Sequence, residues 1–382
     1  MENNQEIISP NDYEAALIQL LRISVGSSAE LPPHVDWPQV WNLACRHHLE
    51  AMIAEAAEAC PDVPEELRAQ MKAAVYQMIA RTARQEYWLA RLEEQLKAAG
   101  IPYGIMKGGI LRNDYSKAYY RFMSDLDIYV RQEDRGAIRS AVESIGGVYK
   151  NSDSGDDAYI LDGTVGVEFH GRLVYRNIKG TIVSYPDWPC VDESRNRLTE
   201  EGYVLNMIGH AVGDLVDAGL GVRYVLDLWI YKNRHEPQPD WNAVERRLRD
   251  DGIDKLASNL FQLGEFLFGD GEATPLMEEM AQYVLEGGLY GASGRSSASA
   301  AAKAGGRLTA VKKQVFRSRE EFVNRYPWLK SYPFLLPLAW GMRLGRSFRL
   351  HRKYIGRWLR GVCSVSDREV SQQKERLTRF GL

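Results

Sequence analysis

Cysteine is scarce in this chain of 382 residues: Cys45, Cys60, Cys190 and Cys363 lie far apart and form no C-x-x-C pair. That pattern argues against a disulfide framework and a structural zinc site, and it fits a reducing compartment. Cys45 stands close to His47 and His48, but no second half-site accompanies them. Long apolar runs are missing too. Nothing approaches the ~20 residues needed to span a bilayer, and the stretch from Phe334 to Trp340 is broken by Pro337 and followed by Arg343. The opening Met-Glu-Asn-Asn-Gln-Glu has neither a basic stretch nor an apolar core, which predicts no secretory signal and a cytoplasmic location. There is no internal repeat.

Net charge is nearly absent, with 48 basic and 51 acidic side chains giving −3. The balance conceals a split. Residues 303–360 carry fifteen basic and two acidic side chains, a surplus of thirteen that leaves −16 for the rest. What remains is ordinary: 45% apolar and 26% charged residues exclude disorder and fibrous classes, and the length predicts two or three structural units.

The first hundred residues read as helix. Asn11 or Asp12 caps a segment through Leu21, a second runs from about Pro38 to Ala59, and Pro64 opens a long one ending near Ala99-Gly100. In the long one, Met71, Val75, Met78, Ile79, Ala83, Leu89, Leu92 and Leu96 form a buried stripe that Thr82 and Gln85 interrupt. At Gly100 the period changes. Strands are expected over 101–106 and 126–130, with a short helix over 110–115 between them and a longer one over 133–145 after them. Three extended segments follow at 148–151, 158–162 and 165–173, joined as antiparallel hairpins by turn residues such as Asp162-Gly163. Helices return over 204–215, 224–231, 241–248 and 256–267. The fold class is therefore α+β, a small mixed-sheet core flanked by N-terminal and C-terminal helical regions. The expected division is 1–100 helical, 101–195 core, 196–286 helical, 287–306 a Gly/Ser/Ala-rich linker and 307–382 basic and helical.

Asp125-Leu126-Asp127 is the sharpest local feature, although acid-x-acid triplets are common by chance in a chain with 51 acids. Alternation with Leu126, Ile128 and Val130 puts both aspartates on one face of a strand, their Cα atoms about 6.6 Å apart. There the carboxylates can converge on divalent ions, the arrangement used for in-line phosphoryl displacement. Glu168, in Val167-Glu168-Phe169-His170, is placed to add a third carboxylate, and an ordinary solvent-facing residue is the competing reading. Lys107-Gly108-Gly109 follows an apolar strand and precedes a helix, which suits an anion cradle as well as a plain turn. Lys107 and Arg121 can offset phosphate charge or serve as a snorkelling lysine and a structural ion pair. His210 and Asp214, one helical turn apart, can border an acceptor pocket or link helices to the sheet, and Arg223 and Asp227 are spaced as an i,i+4 pair.

Lys107-Gly108-Gly109-Ile110-Leu111, Tyr115 and Arg121-x-x-Ser124-Asp125-Leu126-Asp127-Ile128-Tyr129-Val130 together resemble the core signature of a bacterial nucleotidyltransferase family. That family is largely uncharacterised and lies in the DNA polymerase β superfamily. Glu168-Phe169-His170, His210, Arg223 to Leu228 and Trp241 extend the similarity, over about residues 10–350. The resemblance implies that Gly108 and Gly109, with Lys107 and Arg121, hold the nucleotide. It also implies that Asp125, Asp127 and Glu168 bind Mg²⁺, with Mn²⁺ as the alternative. Glu168 can accept the proton of an attacking hydroxyl, with His170 as a second candidate, and His170 and His210 are the candidates for the acceptor side. Gly109 departs from the Ser common in the superfamily, and Glu168 from the usual Asp. The function this implies is metal-dependent transfer of a nucleoside monophosphate from an NTP to a hydroxyl or phosphate acceptor on a small molecule, protein or RNA. The alternative is a non-catalytic nucleotide- or polyanion-binding module that keeps the fold. From Arg343 the cations recur at three- and four-residue steps, one stripe on a helix for a polyanion, a membrane surface or the acidic body of the same chain.

Overall fold

The computed structural model describes residues 12–31, 34–153, 156–171, 173–176, 182–185, 191–192, 196–217, 219–288, five isolated positions from 309 to 322, 326–345 and 365–382. The expected linker and the cationic stripe fall almost wholly outside these residues.

Helix α1 (Asp12–Ser24) is followed by α2 (Trp37–His47), α3 (Glu50–Ala56) and α4 (Glu65–Ala98). The segment expected to be continuous from 38 to 59 is two helices. His48 adopts a left-handed conformation (φ 53°) that ends α2 by returning its N–H to the last turn, and the chain restarts at Glu50. The long helix is continuous, but its buried stripe differs from expectation. Thr82 and Gln85 are buried, whereas Ile79 is 40% exposed. Gln85 donates to the Met123 carbonyl at 3.1 Å, so the polar interruption anchors the segment that leads into the central strand.

The sheet elements are β1 (Tyr103–Ile105), β2 (Asp125–Val130), β3 (Val148–Asp153), β4 (Asp156–Leu161), β5 (Val165–His170), β6 (Leu173–Arg176), β7 (Ile182–Tyr185), β8 (Val191–Asp192) and β9 (Arg197–Leu198). Helix α5 (Gly108–Leu111) lies between β1 and β2, and α6 (Arg135–Ser144) between β2 and β3. The main sheet has the order β3-β4-β5-β2-β1-β9-β8, while β6 and β7 pair apart. The expected hairpins are present: β3–β4 and β4–β5 are antiparallel. β2 sits in the middle, antiparallel to β1 and parallel to β5. The chain closes with α7 (Glu200–Asp217), α8 (Val222–Arg234), α9 (Trp241–Asp250), α10 (Asp254–Phe268), α11 (Pro275–Glu286) and α12 (Asp367–Phe380).

The two faces of β2 meet different cores. Leu126, Ile128 and Val130 pack with Leu89, Leu92 and Leu96 of α4, with α6, and with Val167 and Phe169 of β5. Tyr129, on the opposite face, joins a larger cluster built from α1–α3 and α7–α11. Met71 of α4 belongs to that larger cluster, so one helix braces both cores. The face that carries Asp125 and Asp127 is thus partly covered by helices: Asp127 is only 9% exposed, while Asp125 keeps partial exposure. Strand alternation identifies which residues share a face, but only the helices from elsewhere in the chain decide whether that face is wet.

Candidate active site

Parallel pairing of β2 with β5 puts Asp125 beside Gly166, Asp127 beside Glu168 and Tyr129 beside His170. Asp127, Glu168 and His170 offer ligand atoms that all lie within 4.8 Å of one another. The expected third carboxylate is therefore adjacent to Asp127. His170 is closer still, with Nε2 at 2.6 Å from Asp127 Oδ1 and 3.8 Å from Glu168 Oε2. Asp125 lies at the entrance to the same strand face, where its Oδ1 accepts a hydrogen bond from Ser124 Oγ at 2.6 Å. A Cβ at Gly166 would stand 3.3 Å from Asp125 Cβ, so glycine there keeps room beside that carboxylate.

The electrostatics of the cluster are unbalanced. Burial alone would raise the Asp127 pKa, but the Lys107 ammonium, 2.8 Å from Oδ1, and His170 hold it well below the usual carboxylate range. Burial also opposes the charge on His170, yet its hydrogen bonds to Asp127 and Asp156 carry the imidazole up to about 9. Glu168 moves the other way. Burial, and then the charges of Asp125 and Asp127, push its carboxyl above the ordinary value. Such crowding of like charges is what a bound cation relieves. Asp127, Glu168 and His170 therefore fit a divalent metal, while Asp125, two residues before Asp127 on the strand, stands outside that group. The group Asp127, Glu168 and His170 is the one metal-compatible set among the described residues. His47, by contrast, is fully buried with Nε2 against the Leu285 carbonyl and its pKa lowered to about 4 by burial, so it is a core residue.

Lys107 adopts φ 46° and ψ −127°, a conformation that favours glycine. Its carbonyl accepts from the Tyr203 hydroxyl on α7 and its ammonium reaches Asp127, so both ends of a strained residue are held. α5 starts directly after it and spans only Gly108–Leu111, shorter than the helix expected over 110–115. A Cβ on Gly108 would lie 2.6 Å from the Met123 side chain, and one on Gly109 2.6 Å from Ile105 Cγ2. Both glycines are thus required by close packing on the sheet. Gly109 gives its N–H to the Met106 carbonyl at 3.1 Å. Gly108 N–H has no partner among the described residues.

Arg121 lies beneath this loop, its Nη1 3.5 Å from where a Gly108 Cβ would sit. Its Nε is 2.8 Å from Asp227 Oδ1, which also accepts from Tyr115 OH at 2.5 Å. The expected Arg223–Asp227 pair is replaced by this one, and Arg223 donates instead to the Phe122 carbonyl at 3.2 Å. His210 Nδ1 lies 2.6 Å from Tyr224 OH and 3.2 Å from Asp214 Oδ2 on the α7 face that carries Tyr203. Tyr203 and Asp156 have no motif to announce them. Asp156 was reachable only through its place on β4, which pairs with β5.

No curated protein and no solved structure gives a match. A family described as uncharacterised nucleotidyltransferase matches residues 33–269, a span that runs from α2 through α10 and encloses every residue of this cluster. On that match over more than half of its length, the chain belongs to the uncharacterised nucleotidyltransferase family, a family of transferase enzymes.

Proposed function

We propose that the protein transfers a nucleoside monophosphate from an NTP, ATP foremost, to a hydroxyl or phosphate acceptor, releasing pyrophosphate. The observation that carries this reading is the register of β2 and β5, which sets Asp127 beside Glu168 with Asp125 two residues away on the same face. Asp125, Asp127 and Glu168 would hold Mg²⁺ or Mn²⁺, which when bound neutralises phosphate charge and steadies the leaving pyrophosphate. The chain's own groups supply the rest. The unpartnered Gly108 amide binds a phosphate oxygen, and Lys107, released from Asp127, stands ready for another. Arg121, fixed by Asp227 under the loop, adds a preorganised positive field. Burial of Asp127 at 9% exposure strengthens its interactions. The basic stretch 303–360 suits a polyanionic acceptor such as an RNA end.

Labelled NTPs titrated with Mg²⁺ or Mn²⁺ against hydroxyl and phosphate acceptors test the reading. Metal-dependent pyrophosphate release is expected. Tight nucleotide binding without metal dependence, and no release with any acceptor, would identify a binding module instead.

A further inference from the structure

The described histidines differ in what their ring nitrogens hold. His235 is held on both sides, Nδ1 by Asp114 at 2.7 Å and Nε2 by Glu200 at 2.8 Å. His170 is likewise held by Asp156 and Asp127. His47 is sealed in the core. His48 and His210 each pair through Nδ1 alone, and His48, on Glu50, lies stacked against Phe122. His210 Nδ1 faces Asp214 and Tyr224, its side chain is 35% exposed, and its Nε2 has no partner among the described residues.

Position adds to chemistry. Residues 203, 207, 210 and 214 follow the four-three-four spacing of one helix face, and Tyr203 on that face donates to the Lys107 carbonyl. The face therefore starts at the loop that precedes α5. Burial would raise the Asp214 pKa, but His210, then Tyr224, then the Lys107 ammonium hold it below its ordinary value. Asp214 thus lies within the electrostatic reach of the residue that pairs with Asp127. In the tautomer that donates Nδ1–H to Asp214, the lone pair on Nε2 is left for a substrate.

We infer that His210, oriented by Asp214 and Tyr224, is the base that deprotonates the acceptor, which makes the α7 face from Tyr203 to Asp214 the acceptor side and the acceptor a hydroxyl. This rests on the nucleotidyl-transfer reading above. The hydroxyl O–H bond breaks and its proton goes to Nε2. The freed oxygen bonds to the α-phosphorus, and the bond from that phosphorus to the bridging oxygen breaks, pyrophosphate leaving with the electron pair. Glu168, crowded between carboxylates, then has no proton to accept and stays with Asp125 and Asp127.

The test uses the full chain with α-labelled ATP, Mg²⁺ and glycerol as hydroxyl probe, following labelled product and pyrophosphate. His210→Ala should lose roughly 10²–10⁴-fold in turnover with the KM for ATP changed less than about threefold. Added imidazole should restore at least about tenfold of that loss, because it replaces the missing base. Asp214→Asn should fall between the two and gain nothing from imidazole. If His210→Ala keeps more than about a tenth of wild-type turnover, or melts normally and is not rescued, the inference is overturned. Should His210→Ala fail to fold, His210→Gln carries the same expectations. Asp125→Asn separates the two levels. Its inactivity beside an active His210→Ala removes only the base, an active Asp125→Asn removes the transfer reading, and a wild type inert with glycerol and water removes both.

Discussion

Two histidines of this protein each stand between a pair of carboxylates, and they are built for different ends. His235, 3% exposed, joins Asp114 after α5 to Glu200 at the start of α7, and Tyr231 stacks on its ring at 4.4 Å. Arg197 also pairs with Glu200, at 2.5 Å, so the acids are matched by cations and the cluster is closed. His170 joins Asp127 to Asp156, but Asp125 and the half-exposed Glu168 crowd the same place. Closure with balanced charge is a structural clamp. An excess of carboxylates at an accessible edge is a site that awaits a cation.

The comparison breaks most sharply at Asp127. Asp127→Asn should lower turnover about 10²–10³-fold and also destabilise by about 3 kcal/mol, because it leaves the half-buried Lys107 without its ion pair and His170 with Asp156 alone. Asp125→Asn should show a similar loss of turnover with stability within about 0.5 kcal/mol of wild type. Steady-state pyrophosphate release and denaturant melts of both variants check this. Equal melts would show that Asp127 is no part of the packing.

His235→Asn should do the reverse, costing about 3 kcal/mol by leaving Asp114 without a cation and Glu200 with Arg197 alone, while metal-dependent release persists at temperatures where the variant is folded. Its pH dependence follows from the raised pKa. Burial opposes the charge, but the hydrogen bonds to Asp114 and Glu200 raise the folded value, so the stabilisation is complete below about 6.5 and fades as pH rises through the folded pKa. Melting curves at a pH series should converge for wild type and variant at alkaline pH. A gap that stays constant would remove the charged clamp.

Binding of Mg²⁺ or Mn²⁺ should stabilise the wild type by about 2.7 kcal/mol at a hundredfold excess over Kd, leave His235→Asn responsive and leave Asp125→Asn unresponsive. Thermal shift with and without chelator reads this directly. The smallest effect is at Lys107. Both Lys107→Ala and Lys107→Gly lose the pair with Asp127, but glycine accepts φ 46°, so it should be the more stable of the two by about 1 kcal/mol. Identical denaturation midpoints would show that the positive φ stores no strain.

Much of the core was legible because it is written in short-range patterns. Alternation along Leu126-Asp127-Ile128 and Val167-Glu168-Phe169 places the acids opposite the apolar side chains, and the turn residues between 148 and 170 predict the hairpins. The helix ends at the C-terminus were legible and went unread: Ser366 and Glu369 form a capping box and Gly381 closes α12 with φ 107°. Thr274-Pro275 likewise starts α11. The site was legible in part. Lys107, Asp127, Glu168 and His170 come together at β2 and β5, whereas Arg121 is held by an aspartate 106 positions away in sequence. Glu55 makes the same point: its carboxylate on α3 pins the loop before β2 through Tyr119 at 2.6 Å and Tyr120 at 2.6 Å, contacts no local spacing reveals.

By itself the sequence determined the elements and their faces, because strand alternation, helical period, caps and glycine stops depend on neighbours a few residues apart. It also determined the set of acids that share one strand face. Only the tertiary structure decided that this face is partly covered, that Asp127 is already paired with Lys107 and His170, and that Asp227 takes Arg121 instead of Arg223. Those outcomes turn on burial and on which distant charges come within a few ångströms, and both depend on how the helices of the two ends of the chain close over the sheet.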